Sequence, residues 1–373
     1  LIIIKKAEVM TTINQFKPDI VFHPGETLAE KLEELKMGPK EFAVRTGKPE
    51  KTIIAIIKGD SSLTSEMAVL FESVLKIPAD FWLKKQFRYD EYKAREKRAL
   101  VIEEAKDWAK CFPISDMVKC GWVNARTKAE DKVAELFHFF GVSSPNAWKD
   151  YFFNQQLKVA FRISLVHTRE PYAISAWIRQ GEIQSFELNC GEYSETRFKK
   201  ALKEIKTIMA TQPDDFFEQL QRLCLACGVK VVYTPCIKKA PLSGATRWID
   251  DNPLIQLTGR YKQNDRFWFT FFHEAGHILL HGKKDIFLED IEYSDADLQK
   301  EAEANDFAVE WTFSNEQEEE VLKSKHLTIE SIQEFAKKFN THPAMIIGRF
   351  HKKKLLHYAQ GRDFFVKLDF SDN

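Results

Sequence analysis

Two histidines four residues apart, His273 and His277, lie inside the proline-free run from Phe267 to Leu280 and constrain this 373-residue chain more than any other feature. On a helix their rings project from one face, one turn above the other, as two ligands of a zinc ion require. Glu274 stands between them. A carboxylate beside the first ligand can take a proton from water whose pKa the metal has lowered towards ~7, preparing it to attack a carbonyl. Asn264 or Asp265 can cap the start of the helix, and Gly282 stands where a left-handed terminating residue belongs. Gly276 fits less well, because an interior glycine costs about 1 kcal/mol relative to alanine, and it points to a close approach by substrate or another strand. His281 lies four beyond His277 and shares its side, but only the first pair encloses a glutamate. It reads as a structural residue near the helix C-terminus, where partial positive charge is favourable.

Two imidazoles need a third ligand. Ser294 can cap a second helix running through Asp297 and Glu301 to Trp311, with Ala304, Phe307, Ala308 and Trp311 on one apolar stripe. Glu301 and Glu303 flank that stripe on opposite sides, so periodicity does not choose between them. The run from Phe272 to His281, followed by Glu303-Ala304-Asn305-Asp306-Phe307-Ala308, resembles the ImmA/IrrE metallopeptidase family. Gly228 to Val232, Ser243 to Thr246 and Pro253 to Leu257 match the family's preceding strands in order. The resemblance implies a zincin-like domain in which His273, His277 and Glu303 hold Zn2+ and Glu274 is the general base. It also implies a protein substrate, a repressor or an antitoxin.

With 55 basic and 55 acidic residues the formal charge is zero, so no global field draws nucleic acid or membrane to the chain, and any such contact must be local. No apolar run approaches the ~20 residues that span a bilayer, which points to no membrane partner and a cytoplasmic location. The 6 cysteines fit that compartment. Cys224 and Cys227 form a lone Cys-x-x-Cys with no second pair to complete a zinc cage, and they read as buried apolar residues.

From His23 the pattern becomes compact and helical. Thr27 to Leu35, Pro39 to Arg45, Pro49 to Lys58 and a stretch from Leu63 or Thr64 to Lys76 are short helices, the second and third joined by a turn at Thr46-Gly47-Lys48. This is the layout of a helix-turn-helix, with Ile53, Ile56 and Ile57 in its core and Glu50, Lys51, Thr52, Ile54 and Ala55 nearer the surface. His23-Pro24-Gly25-Glu26, Lys40-Glu41-Phe42-Ala43, Pro49-Glu50-Lys51-Thr52-Ile53 and Ile77 to Leu83 resemble the HigA-type antitoxins, a branch of the Xre/Cro-like repressors. That resemblance implies binding of operator DNA as a homodimer and of a cognate toxin. Lys40, Lys48, Lys51 and Thr52 are the expected DNA contacts. Ile54 and Ala55 can touch a thymine methyl but cannot read guanine by bidentate hydrogen bonds. From His23 to Ala99, 15 basic side chains face 13 acidic ones, so phosphate attraction per protomer is modest.

The region between is less informative. Tyr89 to Lys110 suits a solvated bridging helix, and Lys128 to Phe140, Ser144 to Gln155, Ile174 to Arg179 and Arg197 to Thr211 read as further helices. Trp148, Trp177 and Phe186 are expected in cores. The expected fold is mainly α with a small β-sheet (α+β): an N-terminal lead-in at 1–19, a helix-turn-helix bundle at 20–95, a helical connecting region at 96–215 and a zincin-like metallopeptidase domain at 216–373. Two functions compete. One is a regulator whose zinc metalloendopeptidase domain hydrolyses a repressor or antitoxin. The other is a non-enzymatic, DNA-binding antitoxin that neutralises a toxin and represses its own operon, with the metal site structural or vestigial.

Overall fold

A computed structural model describes residues 21–156, 171–283, 287–288, 295–324, 328–368 and 370. The 1–19 lead-in and the expected cap Ser294 lie outside them. The chain divides into two compact units, the first ending at Glu103 and the second beginning at Glu104. It is mainly helical with one small sheet, as the hydrophobic periodicities predict.

In the first unit, α1 (Pro24–Glu34), α2 (Pro39–Thr46), α3 (Glu50–Ile57) and α4 (Ser65–Leu75) close around Leu28, Phe42, Ile53, Ile56, Phe71 and Trp82. Prolines at the first turn of α1 and α2 supply a preset φ where no backbone donor is needed. Gly47 ends α2 at φ +65°, a left-handed position that lets the chain turn at once into α3. The long α5 (Ala79–Glu104) follows, its later half dominated by charged, solvated residues.

In the second unit, α6 (Lys106–Lys110), α7 (Ile114–Lys119), α8 (Ala129–Phe140) and α9 (Pro145–Trp148) gather an aromatic cluster that includes Trp108, Phe112, Phe140 and Trp148. Trp148 and Trp177 are buried as expected, whereas Phe186 is 59% exposed. Phe186 is the last residue of α10 (Pro171–Phe186), where the helix runs out of packing partners. Next come α11 (Glu195–Thr211) and α12 (Phe216–Leu225), then β1 (Lys230–Tyr233), β2 (Gly244–Ile249) and β3 (Asn252–Leu257). Cys224 and Cys227 are buried at the end of α12, and burial raises both thiol pKa values, which leaves them poor nucleophiles.

The sheet order is β1-β3-β2-β4, with β4 formed by Phe287–Leu288. β1 and β3 run parallel, while β2 is antiparallel to both β3 and β4. A two-residue turn joins β2 to β3, with Asp250 at φ +54°, a conformation that Asp tolerates better than most residues. On one side of the sheet lies α10. The Gln256 amide of β3 reaches the Trp177 carbonyl at 2.7 Å and Thr234 Oγ1 at 3.0 Å. On the other side lies α13 (Asn264–Leu280), covered in turn by α14 (Asp295–Thr312). Helices α15 (Asn315–Leu322), α16 (Ile329–Phe339) and α17 (Pro343–Lys352) complete the unit.

α13 is buried nearly all round from Phe267 to Ile278 and lies in the middle of the stack. Phe267, Trp268, Phe271, Phe272, Ala275 and Ile278 are buried in one core with Phe198 and Ile205 of α11. That core therefore begins upstream of residue 216. The segment from Phe364 closes the unit: a bridge pairs Lys367 with Gln263, and Phe370 stacks on Tyr233 at 4.0 Å between ring centres.

Candidate metal centre

His273 and His277 are both buried on α13, and their Nε2 atoms lie 3.0 Å apart. Glu301 of α14 meets them, with Oε2 at 3.2 Å from His273 Nε2 and Oε1 at 3.4 Å from His277 Nε2. These three residues are the set among the described residues that could hold a metal ion. Ligands ~2.0–2.1 Å from a tetrahedral zinc stand about 3.3–3.4 Å apart, so the triangle has the right size for one face of such a site. Two nitrogens and one carboxylate are also the donor set of many catalytic zinc centres, which leave a fourth position open.

Protonation favours the same reading. Burial, reinforced by the neighbouring imidazoles against the pull of Glu301, lowers the His277 pKa to about 4 and keeps the ring neutral. Burial works against ionisation of Glu301, but hydrogen bonds from His273 and His277 outweigh it and bring that carboxyl down to about 2. Neutral imidazoles and an ionised carboxylate are the forms that bind a cation.

Glu303, the third ligand that the resemblance implied, lies elsewhere. Its Oε2 is 3.1 Å from His281 Nε2, and its side chain is 46% exposed. The correction has a helical cause: among the described side chains of α14, Ala304, Ala308 and Thr312 are buried, and Glu301 falls on their face while Glu303 points well round the helix. Glu274 is fully buried, and β2 approaches it closely. A Cβ on Gly244 would lie 2.6 Å from Glu274 Oε1, so only glycine leaves the carboxylate its place. Thr246 Oγ1 donates to the Glu274 backbone carbonyl at 3.0 Å and ties β2 to the same turn.

The helix ends differ from expectation. Gln263 is the N-cap, and Asn264 instead pairs with Val366, donating its backbone N–H and accepting through Oδ1, both at 3.2 Å. Asp265 likewise makes no cap. At the other end His281 turns extended, φ −118°, and Gly282 is not left-handed. Gly276 packs against a helix: a Cβ there would lie 3.2 Å from Phe307 and 3.3 Å from the Ala304 Cα of α14.

In the amino-terminal unit Lys40 and Lys51 are exposed, Thr52 is half-buried, and Lys48 is held at 2.6 Å by Glu66. Ile53 and Ile56 are buried, and Ile57 is partly so. Among the described residues no helix is long and apolar enough to cross a membrane.

Residues 224–351 match the model of peptidase family M78, the IrrE N-terminal-like domain. No curated protein matches the chain. Among solved structures, an addiction module antidote protein of the HigA family from Coxiella burnetii is 34% identical over 22% of this chain and 91% of its own, with a TM-score of 0.21. A candidate antidote protein of a plasmid maintenance system from Nostoc punctiforme is 28% identical over 23% of this chain and 93% of its own, with a TM-score of 0.23. The chain carries an IrrE N-terminal-like domain of peptidase family M78 at residues 224–351, joined to an amino-terminal module similar in sequence to HigA-type antidote proteins.

Proposed function

We propose that this chain is a regulator whose C-terminal domain is a zinc-dependent endopeptidase acting on a regulatory protein, a repressor or an antitoxin. The observation that carries this reading is the triangle of His273, His277 and Glu301 with Glu274 buried one residue from the first imidazole. His273, His277 and Glu301 would hold the ion. Zinc bound there supplies Lewis acidity towards a carbonyl and makes a nearby water easier to deprotonate. Glu274 is the base that accepts the water proton and returns it to the leaving amine. Gly244 and Thr246 fix where that carboxylate sits.

The sheet supports an extended substrate. β4 stands at the end of the strand order, and Phe287 stacks on His277 with ring centres 3.9 Å apart. A peptide pairing along that edge would bring backbone carbonyls to the metal face and be read by its main chain more than by its side chains.

In the amino-terminal module, operator DNA is contacted through Lys40 and Lys51, with Thr52 beside them and Lys48 partly withheld by Glu66. The near-zero local charge makes that contact dependent on a homodimer, and a cognate toxin is the second partner of this module. Glu274→Gln separates the enzyme from a non-enzymatic antitoxin. The variant should keep one zinc per chain by elemental analysis and lose cleavage of the co-encoded repressor or antitoxin. Unchanged cleavage, or a wild-type chain that cleaves no neighbour-encoded regulator while Lys51→Ala abolishes function, would leave only the binding role.

A further inference from the structure

Two residues outside the metal triangle form a chain of contacts leading into it. His277 turns Nε2 towards His273 and Glu301, while its Nδ1 lies 3.0 Å from His281 Nδ1. His281 Nε2 in turn lies 3.1 Å from Glu303 Oε2, and Gln299 Nε2 donates to the other oxygen of that carboxylate at 3.0 Å. Phe287 stacks on His277 and leans on His281, with ring centres 3.9 and 5.2 Å apart, so neither imidazole is at liberty to swing. The His281 side chain is only 3% exposed, whereas Glu303 reaches the surface.

Counting protons along this chain leaves one arrangement. A ring that presents its Nε2 lone pair to a metal carries its proton on Nδ1. That proton can make a hydrogen bond only if His281 Nδ1 is bare. His281 must then carry its own proton on Nε2, where the ionised Glu303 accepts it. Reversing His281 would set two N–H groups against each other and two lone pairs against each other at the far end.

Resting on the metal-site reading above, we propose that Glu303 and His281 are positioning residues. Together they hold His277 in the tautomer and orientation that offer Nε2 to the ion, and neither touches the ion. The extended backbone at His281, which ends α13, brings its ring back beneath His277. Partners of this kind typically change metal affinity by about 10–100-fold when removed.

The test uses the full chain and zinc alone. Zinc affinity is measured by competition with a chelator for wild type, Glu303→Ala, Glu303→Gln, His281→Phe and the double variant His281→Phe with Glu303→Ala. The relay predicts one zinc per chain throughout, with affinity reduced about 10–100-fold in Glu303→Ala and in His281→Phe. Glu303→Gln keeps an acceptor and should recover most of the loss. The double variant should be no weaker than the worse single, because the two residues act in series. In nitrogen-15 spectra of the zinc-loaded protein, His281 should carry its proton on Nε2. A His281 protonated on Nδ1, or variants that bind zinc like wild type, overturn the relay while leaving the metal site standing. A wild-type chain that binds no zinc overturns both.

Discussion

Replacing Glu301 with alanine tests the geometry most directly. Structural zinc sites bind with roughly 10–16 kcal/mol spread over four ligands, so one ligand contributes on the order of 3–4 kcal/mol. At about 1.4 kcal/mol per tenfold, Glu301→Ala should weaken zinc binding by roughly 100- to 1000-fold. The apo fold should change little, because the side chain lies at the margin of α14 rather than in the packed core around Ala304 and Ala308. Glu303→Ala, two residues on, removes contacts to His281 and Gln299 and should cost at most about 100-fold. The assay is chelator competition, with zinc stoichiometry by elemental analysis and circular dichroism as the control for folding. If Glu303→Ala loses the ion while Glu301→Ala binds it like wild type, the assignment of ligands by helix face is refuted.

Two further perturbations bear on α13, one from β2 and one at its first turn. In Gly244→Ala the new methyl would stand 2.6 Å from Glu274 Oε1 and 2.7 Å from Thr270 Cγ2, forcing the carboxylate aside by roughly 1 Å. Zinc binding should persist and cleavage should fall about 100-fold; undiminished cleavage would remove Glu274 from the role of base. Asp265 is pressed upward in pKa by burial, against weaker stabilisation from Arg266, so the native chain holds its proton more tightly than the unfolded one. Stability then declines as pH rises from the unfolded value near 3.8 through the raised native one, and the penalty persists at neutral pH. Asp265→Asn should melt at or above wild type at pH 7, with that advantage vanishing below about pH 4; a lower melting temperature at pH 7 would contradict the sign.

The parts of the fold legible in sequence were those written in local periodicity. The Ile53 and Ile56 face of α3 and the Pro39 and Gly47 punctuation around α2 each depend on residues a few positions apart. The metal pair is legible for the same reason, since a four-residue spacing needs only a helix. The third ligand depends on how two helices face each other, which no single stretch encodes. Weighting Phe307 and Trp311 equally with the alanines pulled the apparent face of α14 round until Glu301 and Glu303 looked equivalent. Both aromatics are in fact half-buried, and the fully buried face of α14 is marked by Ala304, Ala308 and Thr312. With about 100° per residue, that face is centred roughly 20° from Glu301 and roughly 140° from Glu303.

The interior glycine of α13 carried the missing information. Gly276 lies against Ala304 Cα and Phe307 Cβ, where an added Cβ would come within 3.2–3.3 Å, so α13 and α14 pass close together at this glycine. That separation decides whether a glutamate on α14 can reach imidazoles on α13 at all. Glu301 lies one turn before Ala304 on the contacting face, and its carboxylate arrives 3.2–3.4 Å from both rings. A helix held further out by a larger residue at position 276 would leave the same carboxylate short of the two rings. The local cost of glycine, about 1 kcal/mol relative to alanine, is therefore tied to the meeting of Glu301 with the two imidazoles.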